Sequence, residues 1–232
     1  MAVEILESTI VALALAFVAI VLLRIVIPHL YEQDRRLAQF LYLDLFWVAL
    51  FFAVYIYEKR TISSIGVVLG DNLLLTLEYS VICVLVTLLL FVISARRARA
   101  KGFLRIDREK GLLVLGNEGI DLGFISLPGY IQIFLMQIIW VALPIELFFR
   151  GYLISRIAES FTDFAGVLIS ALVYFVTYMD KPIYGNINAL LALLWGYSYI
   201  QTGSILPGII AHISINTFSY LLARNIALSG GN

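Results

Sequence analysis

The fold class predicted by this sequence is an all-α, polytopic transmembrane helix bundle of about seven spans, or eight. Three observations carry that expectation. The composition is 62% hydrophobic and 14% charged, with a mean hydropathy of +0.97, too apolar for a soluble globule. Long apolar runs alternate with short polar turns through most of the chain. The few polar residues within those runs recur at i, i+4 spacing, which places each pair on one helix face.

The first run, 8–30, follows Glu4 and Glu7 where a secretory signal would carry positive charge, so it reads as a retained membrane helix. Arg24 lies close enough to its end to snorkel. The turn at 31–36 leads to a second run, 37–57, which contains Asp44. The linker 58–72 precedes a third run, 73–94, which contains Glu78. Asp44 and Glu78 are intramembrane carboxylates that are either neutral or paired with Arg24 or Arg150. Cys83 is the only cysteine, which rules out an intrachain disulfide and a cysteine-built zinc site, and it reads as a small core residue.

Residues 95–124 form the one long hydrophilic stretch, with Arg96, Arg97, Arg99, Lys101, Arg105, Arg108 and Lys110. It reads as a basic cytoplasmic loop that holds a short hairpin or an interfacial helix. Net charge is zero and no basic aromatic patch is present, so nucleic acid is not an expected partner. The organisation is therefore membrane helices over 1–94, the basic loop over 95–124 and a second membrane region over 125–232.

That second region holds four runs. The fourth run, 127–157, has Pro128 near its start and Pro144 as an expected kink. The fifth, 161–179, ends at Asp180, Lys181 and Pro182, where Asp180 is expected to cap or pair. The sixth, 187–200, is short for a span, and the seventh, 205–226, has Pro207 in its first turn. Lys and Arg concentrate on one side if the third run exits to the cytoplasm. Arg35, Arg36, the long loop, Lys181 and Arg224 then lie inside, against Lys59, Arg60 and Arg156 outside. This orients the N-terminus outside and the C-terminus in the cytoplasm.

Three polar faces stand out in the second region. The fourth run carries Glu146 and Arg150, the fifth Tyr174 and Tyr178, and the seventh His212 and Asn216. A charged group in hydrocarbon costs roughly 2.5 to more than 10 kcal/mol, so such residues face other helices or a wet cavity and mark function by default. The plainer alternative is a buried Glu146–Arg150 clamp that only locks helix register. If the three faces converge, they enclose an acid, an imidazole, an amide and two phenols.

In order and spacing these residues resemble the CPBP family, the CAAX-protease and bacteriocin-processing membrane proteins also called Abi. Its first motif, Glu-Glu-x-x-x-Arg followed by Gly, is matched by Ile145 to Gly151, IELFFRG. Its second, Phe-x-x-x-His, falls on Tyr174 to Tyr178, preceded by Ser170. Its third, His-x-x-x-Asn after a Thr-Gly-Ser turn, is matched by Thr202, Gly203, Ser204, His212 and Asn216. The resemblance implies a catalytic centre in which the first Glu and the motif-two His activate water while the motif-three pair stabilises an oxyanion. On this chain the oxyanion pair falls on His212 and Asn216, the second Glu on Glu146 and the motif Arg on Arg150. The two water-activating positions fall on Ile145 and Tyr178. Ile145 accepts no proton, and Tyr178, with an ordinary pKa of about 10, is a poor base. Glu146 is adjacent, but helix neighbours point about 100° apart.

The degenerate site thus consists of Glu146, His212 and Asn216, with Arg150, Tyr174 and Tyr178 as pocket or structural residues. The resemblance implies no cofactor. A metal site is not expected, because His29 lies in the first run and HExxH is absent. Three functions remain open. One is a non-catalytic or weakly active relative that binds a hydrophobic peptide or membrane-protein partner within the lipid bilayer. The second is an active glutamic-type intramembrane endopeptidase using Glu146 and His212. The third is a transporter or receptor-like bundle built on Asp44 or Glu78.

The charge asymmetry yields a first test. A reporter active only in the cytoplasm is expected to be active when fused after Asn232 and silent when fused before Met1. The reverse pattern would invert the orientation.

Overall fold

The computed structural model describes residues 5–33, 35–102, 104–107, 112–115, 118–121, 131, 134–135, 137–179 and 185–228. Seven long helices account for most of these residues. They are α1 (7–33), α2 (35–57), α3 (Leu73–Ala100), α4 (Gln137–Ser160), α5 (Asp163–Tyr178), α6 (Gly185–Thr202) and α7 (Leu206–Leu228). Each coincides with one of the apolar runs. Glu7–Leu30, Leu73–Ala100 and Gln137–Ser160 are long and apolar enough to cross a membrane, and Asp44–Tyr57 and Asp163–Tyr178 are shorter apolar helices. Helix starts follow local chemistry. Asn72 accepts the Leu75 N–H at 3.1 Å before α3, and Thr162 accepts the Ala165 N–H at 3.1 Å before α5.

Among the described residues of the basic stretch, the expected hairpin is present and is extended by a third strand. Residues 95–100 continue α3, and the backbone described after Gly102 is a three-stranded antiparallel meander of β1 (Leu104–Asp107), β2 (Leu112–Leu115) and β3 (Glu118–Asp121). Arg105 is paired with Val114, and Leu113 with Ile120. Pro128, Asp180, Lys181 and Pro182, with the cap or pairing expected of Asp180, lie outside the described residues.

Helix α4 is the axis of the bundle. Every residue from 144 to 154 is buried, which requires neighbours on all sides and explains why the segment has no polar face toward solvent. Phe46 of α2 packs on Phe148 and Phe149 at ring distances of 5.1 and 5.7 Å. A second apolar cluster joins Cys83 and Phe91 of α3, Trp195 of α6, and Ala211 and Ile215 of α7. Pro144 does not break α4, because it sits between two π-helical stretches, Gln137–Ala142 and Leu147–Ile154. A wider turn relieves the clash between the proline ring and the preceding carbonyl.

The N-terminal half is clasped onto this axis by contacts between residues far apart in sequence. Arg156, 1% exposed, donates from Nε to Glu58 Oε2 at 2.7 Å and from Nη2 to Ser64 Oγ at 3.0 Å. The Tyr152 hydroxyl donates to Glu58 Oε1 at 2.9 Å, and Arg60 is paired with Glu159. Ser8 of α1 donates to Glu159 Oε2 at 2.6 Å, and Thr9 donates to the Arg156 carbonyl. Residues 61–70 then lie as a strap along α4 and the turn before α7. The Ile205 N–H donates to the Gly66 carbonyl at 3.2 Å, and the Ser204 hydroxyl to the Val68 carbonyl at 2.6 Å. Gly151 is the seat of the strap, because a Cβ there would collide with the Ile65 carbonyl oxygen.

This packing bears on two of the expected membrane charges. Arg24 Nη1 donates to the Val176 carbonyl of α5 at 2.7 Å. Glu78 is exposed on α3, turned away from the packed interior, and the carboxylate paired with Arg150 is Glu146.

Gly151→Ala is expected to lower the thermal midpoint in detergent, since forcing a methyl into a filled site costs roughly 1–3 kcal/mol. An unchanged midpoint would mean that the strap does not rest on α4.

Candidate functional site

The α4 axis carries a carboxylate and a guanidinium into the centre of the bundle. Glu146 is 0% exposed and Arg150 1%, and Arg150 Nε lies 3.2 Å from Glu146 Oε2. The i, i+4 pair predicted from sequence is therefore formed and dry. His212 of α7 meets the same acid from the other side, with Nδ1 3.0 Å from Glu146 Oε1. One carboxylate thus serves two cationic or polarised partners on two helices.

The approach of α7 depends on Gly208, one turn before His212. A Cβ at that position would stand 2.6 Å from Glu146 Oε2. Glycine lets the helix backbone lie against the acid, and any other residue would displace one or the other. Trp195 of α6 completes the enclosure. Its ring stacks on the His212 imidazole at 5.4 Å with an interplanar angle of 28°. Its Nε1 donates to Thr87 Oγ1 of α3 at 3.0 Å, which fixes the indole.

Helix α5 contributes rings rather than hydrogen bonds to the acid. The Arg150 guanidinium lies over Tyr174 at 4.4 Å and over Trp195 at 5.0 Å from the ring centroids. Tyr178 packs on Tyr174 at 4.8 Å and on Phe149 at 6.4 Å. Cation–π attraction in such desolvated settings is worth about 2 kcal/mol, which offsets part of the cost of burying the charge. Ser170, one turn before Tyr174, donates its hydroxyl to the Phe149 carbonyl and holds α5 against the wide turn of α4.

The three predicted faces therefore converge, with one qualification of role. Glu146, Arg150, His212 and Tyr174 form a single cluster, and Tyr178 joins it through Tyr174. Asn216 is engaged differently, since its Nδ2 donates to Gln137 Oε1 at the start of α4 at 2.7 Å. Ile145, where the resemblance places the first acid of the motif, is 3% exposed and belongs to the apolar core cluster.

The contact on Nδ1 sets the chemistry of the imidazole. A carboxylate only accepts, so Nδ1 carries the hydrogen in this pair. In the neutral ring Nε2 is then a bare lone pair, and it donates only when the ring is protonated. The resemblance had implied that His212 donates to an oxyanion; in its neutral form it presents an acceptor instead.

Some members of the site escaped sequence reasoning. Gln137 sits in an apolar run without a polar residue at helical spacing, and Trp195 reads as one more aromatic residue of its run. The Gly208-x-x-x-His212 spacing was a readable signal, because a glycine one turn from a buried polar residue marks close helix approach.

The chain was compared with known proteins. Residues 127–218 match the family model for type II CAAX prenyl endopeptidase, Rce1-like. No curated protein and no solved structure matches the chain.

Arg150→Ala should destabilise the bundle severely, since breaking a buried pair costs roughly 3–5 kcal/mol by leaving an uncompensated acid. Thermal unfolding in detergent reads this out, and an unaltered midpoint would mean that the pair is solvated.

Proposed function

Because the C-terminal half of this chain, residues 127–218, is Rce1-like, we propose that the protein is a degenerate relative of the CAAX-type intramembrane endopeptidases. On this reading it binds a hydrophobic peptide or a membrane-protein partner in the bilayer and does not cut it efficiently. One observation carries the proposal. The side chain at the position of the water-activating acid is Ile145, buried in the apolar core, and the neighbouring acid is already held by Arg150 and His212. Glu146 is fully buried, with Oε1 on His212 and Oε2 3.2 Å from Arg150 Nε, so neither oxygen faces bulk water. A positioned general base contributes roughly 100- to 10,000-fold to a rate, so its loss leaves binding without turnover.

A second reading is favoured by a specific contact. With Glu146 on Nδ1, the bare Nε2 of His212 has the geometry of a carboxylate-oriented base, the arrangement used where a buried acid orients a histidine. Residual hydrolysis through His212 would follow from it.

The two readings separate in proteoliposomes containing a prenylated, photo-crosslinkable CAAX peptide. The native protein is expected to crosslink the peptide without releasing its last residues. Ile145→Glu combined with Tyr178→His is expected to raise cleavage by roughly 100-fold or more. Cleavage by the native protein that both Glu146→Gln and His212→Ala abolish would overturn the non-catalytic reading. Absence of any crosslink would remove peptide binding altogether.

A further inference from the structure

Helix α3 has two different sides. Thr76, Cys83, Thr87 and Phe91 are buried against the bundle, while Leu74, Leu77, Val81, Leu85 and Leu89 are each more than half exposed. The exposed apolar row continues to Ile93, and from Leu74 to Ile93 it is about 29 Å long at 1.5 Å per residue. That length matches the hydrocarbon core of a bilayer, about 30 Å, so the row is the lipid-facing side of the helix. Beyond it the same side becomes cationic within one turn. Arg96 follows Leu89 by seven residues and Leu85 by eleven, two and three helical turns, so it stands in line with the apolar row. Arg96, Arg97, Arg99 and Lys101 are all exposed. Among the described residues, no ion pair or hydrogen bond is formed by the side chains of Arg96, Arg97 or Lys101.

The chain supplies no counter-charge for this cluster from its neighbouring helices. No Asp or Glu lies between Glu78 and Asp107, and none follows Lys181. Helix α7 runs parallel to α3, since Trp195 joins Thr87 to His212 and Phe91 meets Phe218 further along. Its last turns therefore bring Arg224, and no acid, to the same end of the bundle. We propose that this end of α3 is a docking site for an anionic phospholipid. Arg96 and the cations beside it hold the headgroup phosphate, whose oxygens match the guanidinium fork, and the acyl chains lie along Leu85, Leu89 and Ile93. The apolar row identifies the source of the phosphate: a soluble anion would meet the cations alone, whereas a lipid meets both cations and row. The site lies apart from the Glu146 cluster and does not depend on the proposed function.

The full-length protein is reconstituted in phosphatidylcholine vesicles with a trace of phosphatidylglycerol or phosphatidylcholine bearing a photoactivatable acyl chain. After irradiation, peptide mass spectrometry counts the lipid adducts on residues 85–93. Phosphatidylglycerol adducts there are expected to exceed phosphatidylcholine adducts by roughly 5-fold or more, about the gain from one surface cation facing an anionic headgroup. Replacing Arg96, Arg97 and Arg99 together by Gln is expected to bring the two lipids to parity. Arg96→Glu alone, a single exposed change, is expected to lower the preference several-fold. Lys59→Gln, at the opposite end of the bundle, is expected to leave it unchanged. Equal labelling by the two lipids in the native protein would overturn the proposal, as would a preference that survives both arginine variants. Loss of the preference on adding inorganic phosphate would overturn it too, by showing that the cations hold a soluble anion.

Discussion

A single buried carboxylate organises the C-terminal half of this protein. Glu146 cannot be left alone in a dry helix bundle, and it is answered from two directions, by Arg150 on its own helix and by His212 on α7. Each answer constrains a further element. Arg150 draws the rings of Tyr174 and Trp195 around it. His212 requires α7 to pass close to α4, which Gly208 permits. The convergence of four helices is thus the packing solution to one electrostatic problem, and the apolar core fills the space around it.

That solution also limits chemistry. An acid that must stay charged to hold an arginine and a histidine is poorly placed to take and release protons. The same contact points the hydrogen of the imidazole inward and leaves a lone pair outward. Asn216 is meanwhile engaged by Gln137. His212 and Asn216 are thereby oriented by protein neighbours, and Ile145 beside Glu146 is apolar. On the proposed reading, this arrangement favours recognition over hydrolysis.

Much of the architecture was legible in the sequence because hydrocarbon imposes strong rules. Apolar runs marked the helices, and i, i+4 spacing identified Glu146 with Arg150 as a formed pair. Gly151 and the turn at 202–204 could be recognised as motif positions, but their task could not. They receive the strap at 61–70, which no local pattern announces. The clasp between Glu58 and Arg156 likewise joins residues that sequence reading had assigned only as a linker charge and an outside-facing charge. The bond from Arg24 to a carbonyl on α5 is of the same kind, since only the fold brings the two together. Long-range polar contacts obey no period, so composition and spacing are silent about them.

Nitrogen NMR of selectively labelled His212 in lipid nanodiscs tests the central claim most directly. The account predicts that the neutral ring carries its hydrogen on Nδ1 and a lone pair on Nε2, a tautomer preference that Glu146→Gln weakens or removes. A ring that carries its hydrogen on Nε2, unaffected by that substitution, would contradict it, because Glu146 would then not be the group that holds the helices together at this point.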